Sequence, residues 1–559
     1  MSNQKGSQPV YKIKEKKNVY APMRDGVRLA VDIFRPEAKG KFPALLALSP
    51  YGKDIQHAIP PQGPGSFYSF GSLEAGDTNY IVPRGYAHII GDIRGTGKSE
   101  GKYKCMFSKQ EAEDGYDLVE WIARQPWCDG NVGMIGISYY ATEQLIVATE
   151  QPPHLKAIFP FDAPGDFYRD SNYHGGVLNA FNWLLWRQVA IRDFALVSPE
   201  EMSPKEFDAA LEKAKSNKDL LMYSWIYQTL ETPPMQPHFF DILMHPYDGP
   251  FWQERSSCAR YDKIKIPAYC GSGWWAYCMW HLTGAFRNYL GINAPKKMLI
   301  GPQAFLERPF HQYHDTIIKW YDYWLKGIDT GIMDEPPIKL YVMGIDQWRD
   351  ENEWPLARTR WTKYFLRSWE RLSTEPETFY PEPDCFVQQP PIMTSKIQFL
   401  SYLTPPLAED VEVTGPIALY LYAAIDQDDT NWVISFKDVD EHGSERLLTA
   451  GWLKASHRAL DECDSKPWQP YHPHTEESIE KIEPGKIYEY AIEVRPTSNV
   501  FKVGHRIKLE IASIDLPEGF RGIRILPPYH IVSSKTTLHK IYRDEIHPSY
   551  LLLPIIPKK

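Results

Sequence analysis

The sequence predicts an α/β fold with a parallel sheet and a helical insertion, followed by a β-sandwich. Three observations lead to this prediction: strands alternate with helices in the first part of the chain, helical patterns without strands follow, and β-rich runs separated by turns dominate after about residue 350. We divide the 559 residues into a first core segment (1–164), a helical cap (165–246), a second core segment (247–352) and a sandwich (353–559).

The first core segment has the pattern of a βαβα series. VRLAVDIF (27–34) alternates apolar and polar residues as a half-buried strand does, whereas FPALLALSPYG (42–52) is a continuous apolar run typical of a buried parallel strand. Ser108 and Glu111 form a capping-box pair at the start of a helix. GMIGISYYAT (133–142) then predicts a strand, a turn that bears Ser138, and a second helix.

The later segments are predicted from the same kinds of pattern. SPEEMSPKEFDAALEKAKS (198–216) has clear helix-start signals within the cap. IPAYCGSGWW and KKMLIGP resume the strands of the core, and DTIIKWYDYWLKG (315–327) is an amphipathic helix. PIALYLYAAI, NWVISFKDVD and KIYEYAIEV predict strands of the sandwich.

Composition excludes several classes of partner. A net charge of −9 and a pI near 6 provide no basic face, so neither nucleic acid nor an anionic membrane surface is expected. Seven scattered cysteines without a CxxC pair predict reduced thiols and a cytoplasmic protein. Without an apolar signal region or a run of 18 apolar residues, no secretion or membrane span is expected. No cofactor motif is visible, and we expect no cofactor and no metal ion.

The turn at Ser138 has most of the G-x-S-x-G pattern of a nucleophile elbow. Gly136 permits the tight turn that exposes the serine hydroxyl, and the helix that follows favours negative charge near its start. Ala141 stands where the pattern has its second glycine. A serine that merely caps a helix would look similar, but the βαβα order favours the elbow.

Several longer motifs carry a resemblance to a known family. These are GDIRGTGKSEGKY, the run from Glu111 to Ala141, WYDYWLKGIDTG, PPIKLYVMG, WPLA, GWLKASHR and GHRIKLEIASIDLP. From about residue 15 to residue 550 the chain closely resembles the cocaine-esterase and X-prolyl dipeptidyl-peptidase family of α/β-hydrolases. The resemblance implies an α/β-hydrolase core, a helical cap insertion and a C-terminal jelly-roll β-sandwich. Proteins of this family often self-associate, so it leaves a homodimer as an open expectation.

The resemblance also implies site residues, with two exceptions. It implies Ser138 as the nucleophile, and an oxyanion hole made by the Tyr51 hydroxyl and the Tyr139 backbone N–H. The family's triad acid lies in a G-W-Y-D segment, where this chain has Ala276. The triad histidine lies in G-P-W-x-H-G, where this chain has Phe305. A serine without an adjacent base is a poor nucleophile, so the usual triad cannot operate here.

His311 is the best candidate for a substitute base, since it follows the position of the missing histidine by only six residues. His311 and His314 are also spaced so that both could belong to a metal site, although no third ligand is apparent. The plainer interpretation is that both side chains lead into the amphipathic helix.

An apolar cavity is expected beside Ser138, because alanine and phenylalanine replace a charged dyad among many aromatic residues. The candidate substrate-binding residues are Tyr140, Trp274, Trp275, Ala276, Tyr277 and Phe305, with Tyr168, Tyr173 and Trp183 from the cap. Any one of them, taken alone, is more often a core residue than a pocket residue.

Three functions remain under consideration. The missing dyad favours a repurposed hydrolase scaffold that performs a non-hydrolytic step, such as cyclisation, isomerisation, elimination or a pericyclic reaction. Its substrate would be a hydrophobic small molecule such as a secondary metabolite, whose carbonyl Tyr51, the Tyr139 N–H and Ser138 would polarise. The first alternative is an ester or amide hydrolase that uses Ser138 with His311. The second is a non-catalytic protein that binds a small molecule.

Overall fold

The structure is a computed structural model that describes residues 6–56, 74–180, 183, 191–274, 281–302, 309–378, 382–515 and 530–558. It contains an α/β domain built on a ten-stranded sheet and a second domain built on an eleven-stranded sheet. Within these residues, no helix has the length and apolarity that crossing a membrane requires.

The first part of the chain alternates strands and helices. Its elements are β1 (Ile13–Pro22), β2 (Arg28–Pro36), β3 (Phe42–Ser49), α1 (Thr78–Ile81), β4 (Ala87–Asp92), α2 (Lys109–Ala123), β5 (Cys128–Met134), α3 (Tyr139–Thr149) and β6 (Leu155–Ile158). The expectation that β2 is half-buried was wrong, because nearly all of its residues are buried. Both faces of the sheet are therefore covered at this strand.

The cap region begins with a π-helical turn, Phe167–Asn172, and continues into short helices. Its elements are β7 (Tyr173–His174), β8 (Val177–Leu178), α4 (Ser198–Glu201), α5 (Pro204–Ser216), α6 (Lys218–Leu221), α7 (Ser224–Glu231) and α8 (Pro237–Met244). Ser203 and Glu206 form a reciprocal capping box at the start of α5, as the helix-start signals indicated.

The second core segment completes the main sheet. Its elements are α9 (Pro250–Arg255), β9 (Ala268–Gly273), α10 (Leu282–Gly291), β10 (Lys296–Gly301), α11 (Pro309–Lys326), β11 (Ile338–Val342) and β12 (Gln347–Glu351). The sheet order is β1-β2-β4-β3-β5-β6-β9-β10-β11-β12, and its strands from β4 to β11 run parallel. The loops that follow these strands therefore lie along one edge, where open α/β sheets form their sites.

The remaining strands form the second domain. They are β13 (Arg360–Arg367), β14 (Arg371–Ser373), β15 (Asp384–Gln388), β16 (Phe399–Leu403), β17 (Val411–Ile425), β18 (Asn431–Val439), β19 (Glu445–Lys454), β20 (Tyr488–Phe501), β21 (Arg506–Ala512), β22 (Thr537–Tyr542) and β23 (Tyr550–Ile556). β23 pairs with both β13 and β17, which closes the sheet on itself. The backbone of Met343, just after β11, hydrogen-bonds with Ser498 and Val500 on β20, so the two domains are joined there.

Candidate active site

Ser138 occupies a strained turn between β5 and α3. Its φ and ψ angles are 57° and −113°, a backbone conformation that residues with side chains rarely adopt. Gly136 makes the turn possible, because its φ is 132° and a Cβ there would lie 2.2 Å from the Cβ of Tyr140. Ser138 is partly exposed, whereas the residues that follow it are buried. This is the geometry of a nucleophile elbow.

The imidazole that lies against Ser138 belongs to His281. Its Nε2 atom is 3.2 Å from the Ser138 Oγ, which is hydrogen-bond distance for a nucleophile and its base. His281 directly precedes α10 and is 5% exposed. Sequence reasoning missed this residue, because His281 belongs to none of the family motifs and lies five residues beyond Ala276.

The surroundings of His281 weaken it as a base. Burial and, after it, the positive charge of Arg495 on β20 lower the pKa of His281 to about 3. The imidazole is therefore neutral at pH 7, which is the form that accepts a proton. Its low pKa means that the protonated form is unfavourable in this site.

Tyr51 and Tyr139 both lie beside Ser138. The Tyr51 hydroxyl hydrogen-bonds with the Ser138 side chain, and burial raises the pKa of Tyr51 well above its ordinary value, so it stays protonated. The Tyr139 N–H is the first of α3 and lies outside that helix's own hydrogen-bond ladder. The Tyr51 ring centroid is 5.8 Å from that of Tyr139 and 6.1 Å from that of Tyr140. Their part in an oxyanion hole stays a prediction.

A pair of buried carboxyl groups lies beneath the elbow. The Tyr139 hydroxyl donates to Glu111 Oε2 at 2.6 Å, and Glu143 of α3 lies near enough for the charge of Glu111 to raise its pKa. Burial raises the pKa of Glu111 to about 8 and that of Glu143 well above its usual range. The Ser108 hydroxyl caps α2 as predicted, but the Glu111 carboxyl bonds Tyr139 instead of closing the predicted capping box.

Another buried carboxyl group follows β6. The Ser272 hydroxyl, on β9, donates to Asp162 Oδ1 at 2.7 Å. The Ser138 N–H donates to the carbonyl of Phe161, the residue before Asp162, at 3.1 Å. Burial raises the pKa of Asp162 to about 7. Asp162 is thus an acid at the same sheet edge as the elbow, and no sequence motif pointed to it.

The two cap tyrosines among the candidate binding residues have partners of their own. Tyr168 and Tyr173 stack with ring centroids 4.9 Å apart. The Tyr168 hydroxyl donates to the Pro246 carbonyl at 3.1 Å, and the Tyr173 hydroxyl donates to the Ile242 carbonyl at 3.0 Å. Both side chains therefore stabilise the cap, and a role in substrate binding stays a prediction.

The tryptophans are also held by other parts of the chain. Trp274 is buried, and its indole N–H donates to the Tyr341 carbonyl at 2.5 Å. Trp183 packs against Trp225 with centroids 4.8 Å apart. The other candidate binding residues, Trp275, Ala276, Tyr277 and Phe305, lie outside the described residues.

His311 lies in the first turn of α11, where it is exposed. Its ring centroid is 5.1 Å from that of His314, three residues further along the helix. The described contacts of His311 thus connect it with His314, and the histidine that contacts Ser138 is His281. Among the described residues, the imidazole at hydrogen-bond distance from Ser138 is thus that of His281, and the part of His311 as a substitute base stays a prediction.

The sheet order and the elbow after β5 define this chain as an α/β-hydrolase. More specifically, it belongs to the X-Pro dipeptidyl-peptidase (S15) family, whose sequence model matches residues 25–305. The X-Pro dipeptidyl-peptidase C-terminal non-catalytic domain matches residues 330–552. The family predicted from the motifs is thereby confirmed.

Curated relatives and solved structures agree with this assignment. Cocaine esterase of Rhodococcus sp. (strain MB1 Bresler) is 29% identical over 97% of this chain and 98% of its own length. A putative Xaa-Pro dipeptidyl-peptidase of Bacillus anthracis is 24% identical over 88% of this chain and 81% of its own. A CocE/NonD family hydrolase from Staphylococcus aureus has a TM-score of 0.78 at 24% identity, covering 98% of this chain and 94% of that one. This structural likeness confirms the predicted fold.

The comparisons overturn the expectation of a non-hydrolytic reaction in secondary metabolism. The family and these relatives are named as peptidases and esterases, so the chain belongs to a family of hydrolytic enzymes. The alternative of ester or amide hydrolysis fits better than cyclisation or isomerisation. The expectation rested on the replacements at Ala276 and Phe305, from which we inferred that no imidazole lies beside Ser138. That inference failed because the imidazole of His281 does.

Proposed function

We propose that this chain is a serine hydrolase of ester or amide bonds, with Ser138 as the nucleophile and His281 as its general base. The observation that supports this most directly is the 3.2 Å separation between Ser138 Oγ and His281 Nε2. The serine is held in the strained conformation of an elbow, and the residue is partly exposed. Membership of a hydrolytic family supports the same reaction class.

The proposed reaction follows from these positions. The Ser138 hydroxyl gives its proton to His281 Nε2 while Oγ attacks the substrate's carbonyl carbon. The Tyr51 hydroxyl and the Tyr139 N–H donate to the oxyanion that forms. His281 then returns the proton to the leaving group, and water hydrolyses the acyl-enzyme with His281 again acting as base.

The electrostatics of the site favour esters over amides. Because burial and Arg495 lower the pKa of His281 to about 3, this imidazole activates Ser138 less than one with the ordinary pKa of about 6.5. A weakly activated serine attacks the more electrophilic carbonyl of an ester more readily than that of an amide. The partly exposed ring of Tyr51, beside the elbow, favours an ester with an apolar acyl or alkyl group.

Covalent labelling tests the proposed nucleophile. A fluorophosphonate probe should add once to the wild-type protein, as read by intact mass, and should fail to add to Ser138→Ala. Labelling of His281→Ala should be much slower, because the serine then lacks its base. In parallel, p-nitrophenyl esters of increasing chain length should be hydrolysed faster than an Xaa-Pro p-nitroanilide. Labelling that persists in Ser138→Ala, or a folded wild-type protein that stays unlabelled, would refute Ser138 as the nucleophile.

A further inference from the structure

A second group of histidines, outside the candidate active site, joins α11 to α1. His311 and His314 are three residues apart in the first turns of α11 and are neighbours on its surface. Asp77, the residue before α1, lies opposite them. One nitrogen of each imidazole and one carboxylate oxygen of Asp77 all lie within 4.8 Å of one another.

The Asp77 carboxylate is held in place by its helix. Its Oδ1 atom caps α1 by accepting the backbone N–H groups of Asn79 at 2.9 Å and Tyr80 at 3.3 Å. Its Oδ2 atom faces His314 Nε2 at 3.8 Å. One oxygen therefore orients the group while the other points at the imidazoles, as the outer hydrogen bonds of metal-binding carboxylates do.

The His314 ring is also fixed, and its Nε2 atom is buried. The ring stacks on Tyr80 with centroids 4.2 Å apart. Among the described residues, His314 Nε2 has no hydrogen-bond partner. The 3.8 Å gap to Asp77 Oδ2 is too long for a hydrogen bond. It is close to the roughly 3.4 Å that separates two ligand atoms of a tetrahedral metal with bonds of about 2.1 Å.

We propose that Asp77, His311 and His314 bind a divalent transition-metal ion, and that Zn²⁺ fits this ligand set best. Two imidazoles and one carboxylate are ligands that zinc takes readily, whereas Ca²⁺ and Mg²⁺ prefer oxygen atoms. Three protein ligands leave the fourth position for a water molecule. The expectation that the chain holds no metal site is revised accordingly.

The bound ion would tie the first turns of α11 to α1. The opposite face of α11 carries Tyr313, which is buried and packs against Phe161 with ring centroids 5.2 Å apart. Phe161 in turn accepts the N–H of Ser138. The metal site would thus stabilise the helix that packs against the elbow, without itself taking part in acyl transfer.

Zinc titration of the full chain tests the proposal. The protein is treated with a chelator, the chelator is removed, and Zn²⁺ binding is measured by calorimetry. The wild type should bind one equivalent of Zn²⁺. The affinity of His311→Ala and of His314→Ala for Zn²⁺ should be at least about tenfold lower, because losing even a residue that hydrogen-bonds to a metal ligand lowers metal affinity by that factor. His442→Ala is the control, because this histidine side chain is 80% exposed and, among the described residues, belongs to no group of possible metal ligands.

Asp77→Asn separates the metal ligand from the helix cap. The side-chain oxygen of the introduced asparagine can still cap α1, but an amide nitrogen replaces Oδ2 and cannot bind zinc. This variant should therefore unfold at the wild-type temperature without metal, yet lose the rise in Tm that Zn²⁺ produces in the wild type. The proposal fails if the wild type binds no Zn²⁺, or if all three variants keep its stoichiometry and affinity. Neither readout depends on hydrolysis.

Discussion

Two histidines at the same edge of the main sheet have contrasting surroundings. His281, which follows β9, is 5% exposed, and the positive charge of Arg495 lowers its pKa. His314, which follows β10, keeps 16% of its side chain exposed and faces the carboxylate of Asp77. The pKa of His281 is lowered to about 3 by burial and by the charge of Arg495. The pKa of His314 is lowered to about 4 by burial, although the charge of Asp77 acts in the opposite direction.

The contrast shows that the neighbours of an imidazole decide what it can do. His281 lies against a hydroxyl, which makes it a candidate base, whereas His314 lies against an anion, which makes it a candidate metal ligand. The resemblance places the family's histidine after β10, and two histidines do follow that strand here. The histidine that contacts Ser138 nevertheless comes from the segment after β9.

The largest expected effect is a loss of catalytic activity, which should be much greater when His281 is replaced than when His314 is replaced. His281→Gln should lower kcat/KM for an ester substrate by about 10³-fold or more, because loss of the base removes most of the rate that a serine hydrolase achieves. His314→Gln should cause a far smaller loss. Steady-state kinetics with His442→Gln as the control would measure both. If the loss at His314 or His311 exceeds that at His281, the base has been assigned to the wrong residue.

The pH dependence of the reaction should reveal the charge beside His281. With a pKa of about 3, the base stays neutral well below pH 6, so kcat/KM should not fall between pH 8 and about pH 5, where an ordinary histidine with a pKa of about 6.5 would become protonated. Arg495→Gln removes a cation that lowers this pKa. The pH below which kcat/KM falls, the acid limb of the profile, should then be higher by about one pH unit.

A pH-rate profile of both proteins measures this shift, and thermal unfolding confirms that each is folded over the range. An acid limb near pH 6.5 in the wild type, or one that Arg495→Gln leaves in place, would contradict the electrostatic account of His281.

The smallest expected effect concerns the carboxyl pair beneath the elbow, where no histidine is involved. The pKa of Glu111 is raised to about 8 by burial, so the folded protein holds a proton that the unfolded chain releases above about pH 4.5. Stability from this group is fully present below about pH 4.5 and is lost as the pH rises to about 8, at no more than about 1.4 kcal/mol per pH unit.

Glu111→Gln imitates the protonated carboxyl and can still accept the Tyr139 hydroxyl. Its unfolding temperature should fall less than that of the wild type between pH 5 and pH 8, a difference that calorimetry at both values measures. Glu113→Gln, at a more exposed position of the same helix, is the matched control. Parallel pH dependence in the wild type and Glu111→Gln would show that Glu111 is ionised in the folded state.

The strands of the fold and the elbow that bears Ser138 could be predicted from the sequence. Apolar runs and turn residues predicted the strands of both sheets, because burial of a strand leaves a local pattern in its own residues. The Gly136–Ser138 turn was recognisable for the same reason, since its strained geometry requires a glycine at a fixed spacing from the serine. Whole motifs, read together, also identified the family.

Which side chains lie together at the sheet edge could not be predicted in this way and depends on the folded structure. His281 lies 143 residues from Ser138 in the chain, and Arg495 reaches it from another domain. Asp77, in the first core segment, likewise lies beside His311 and His314 of α11, which belong to the second core segment. The order of strands in the sheet and the packing of the sandwich bring these groups together. Such contacts depend on distances through space, and no local spacing of residues records them.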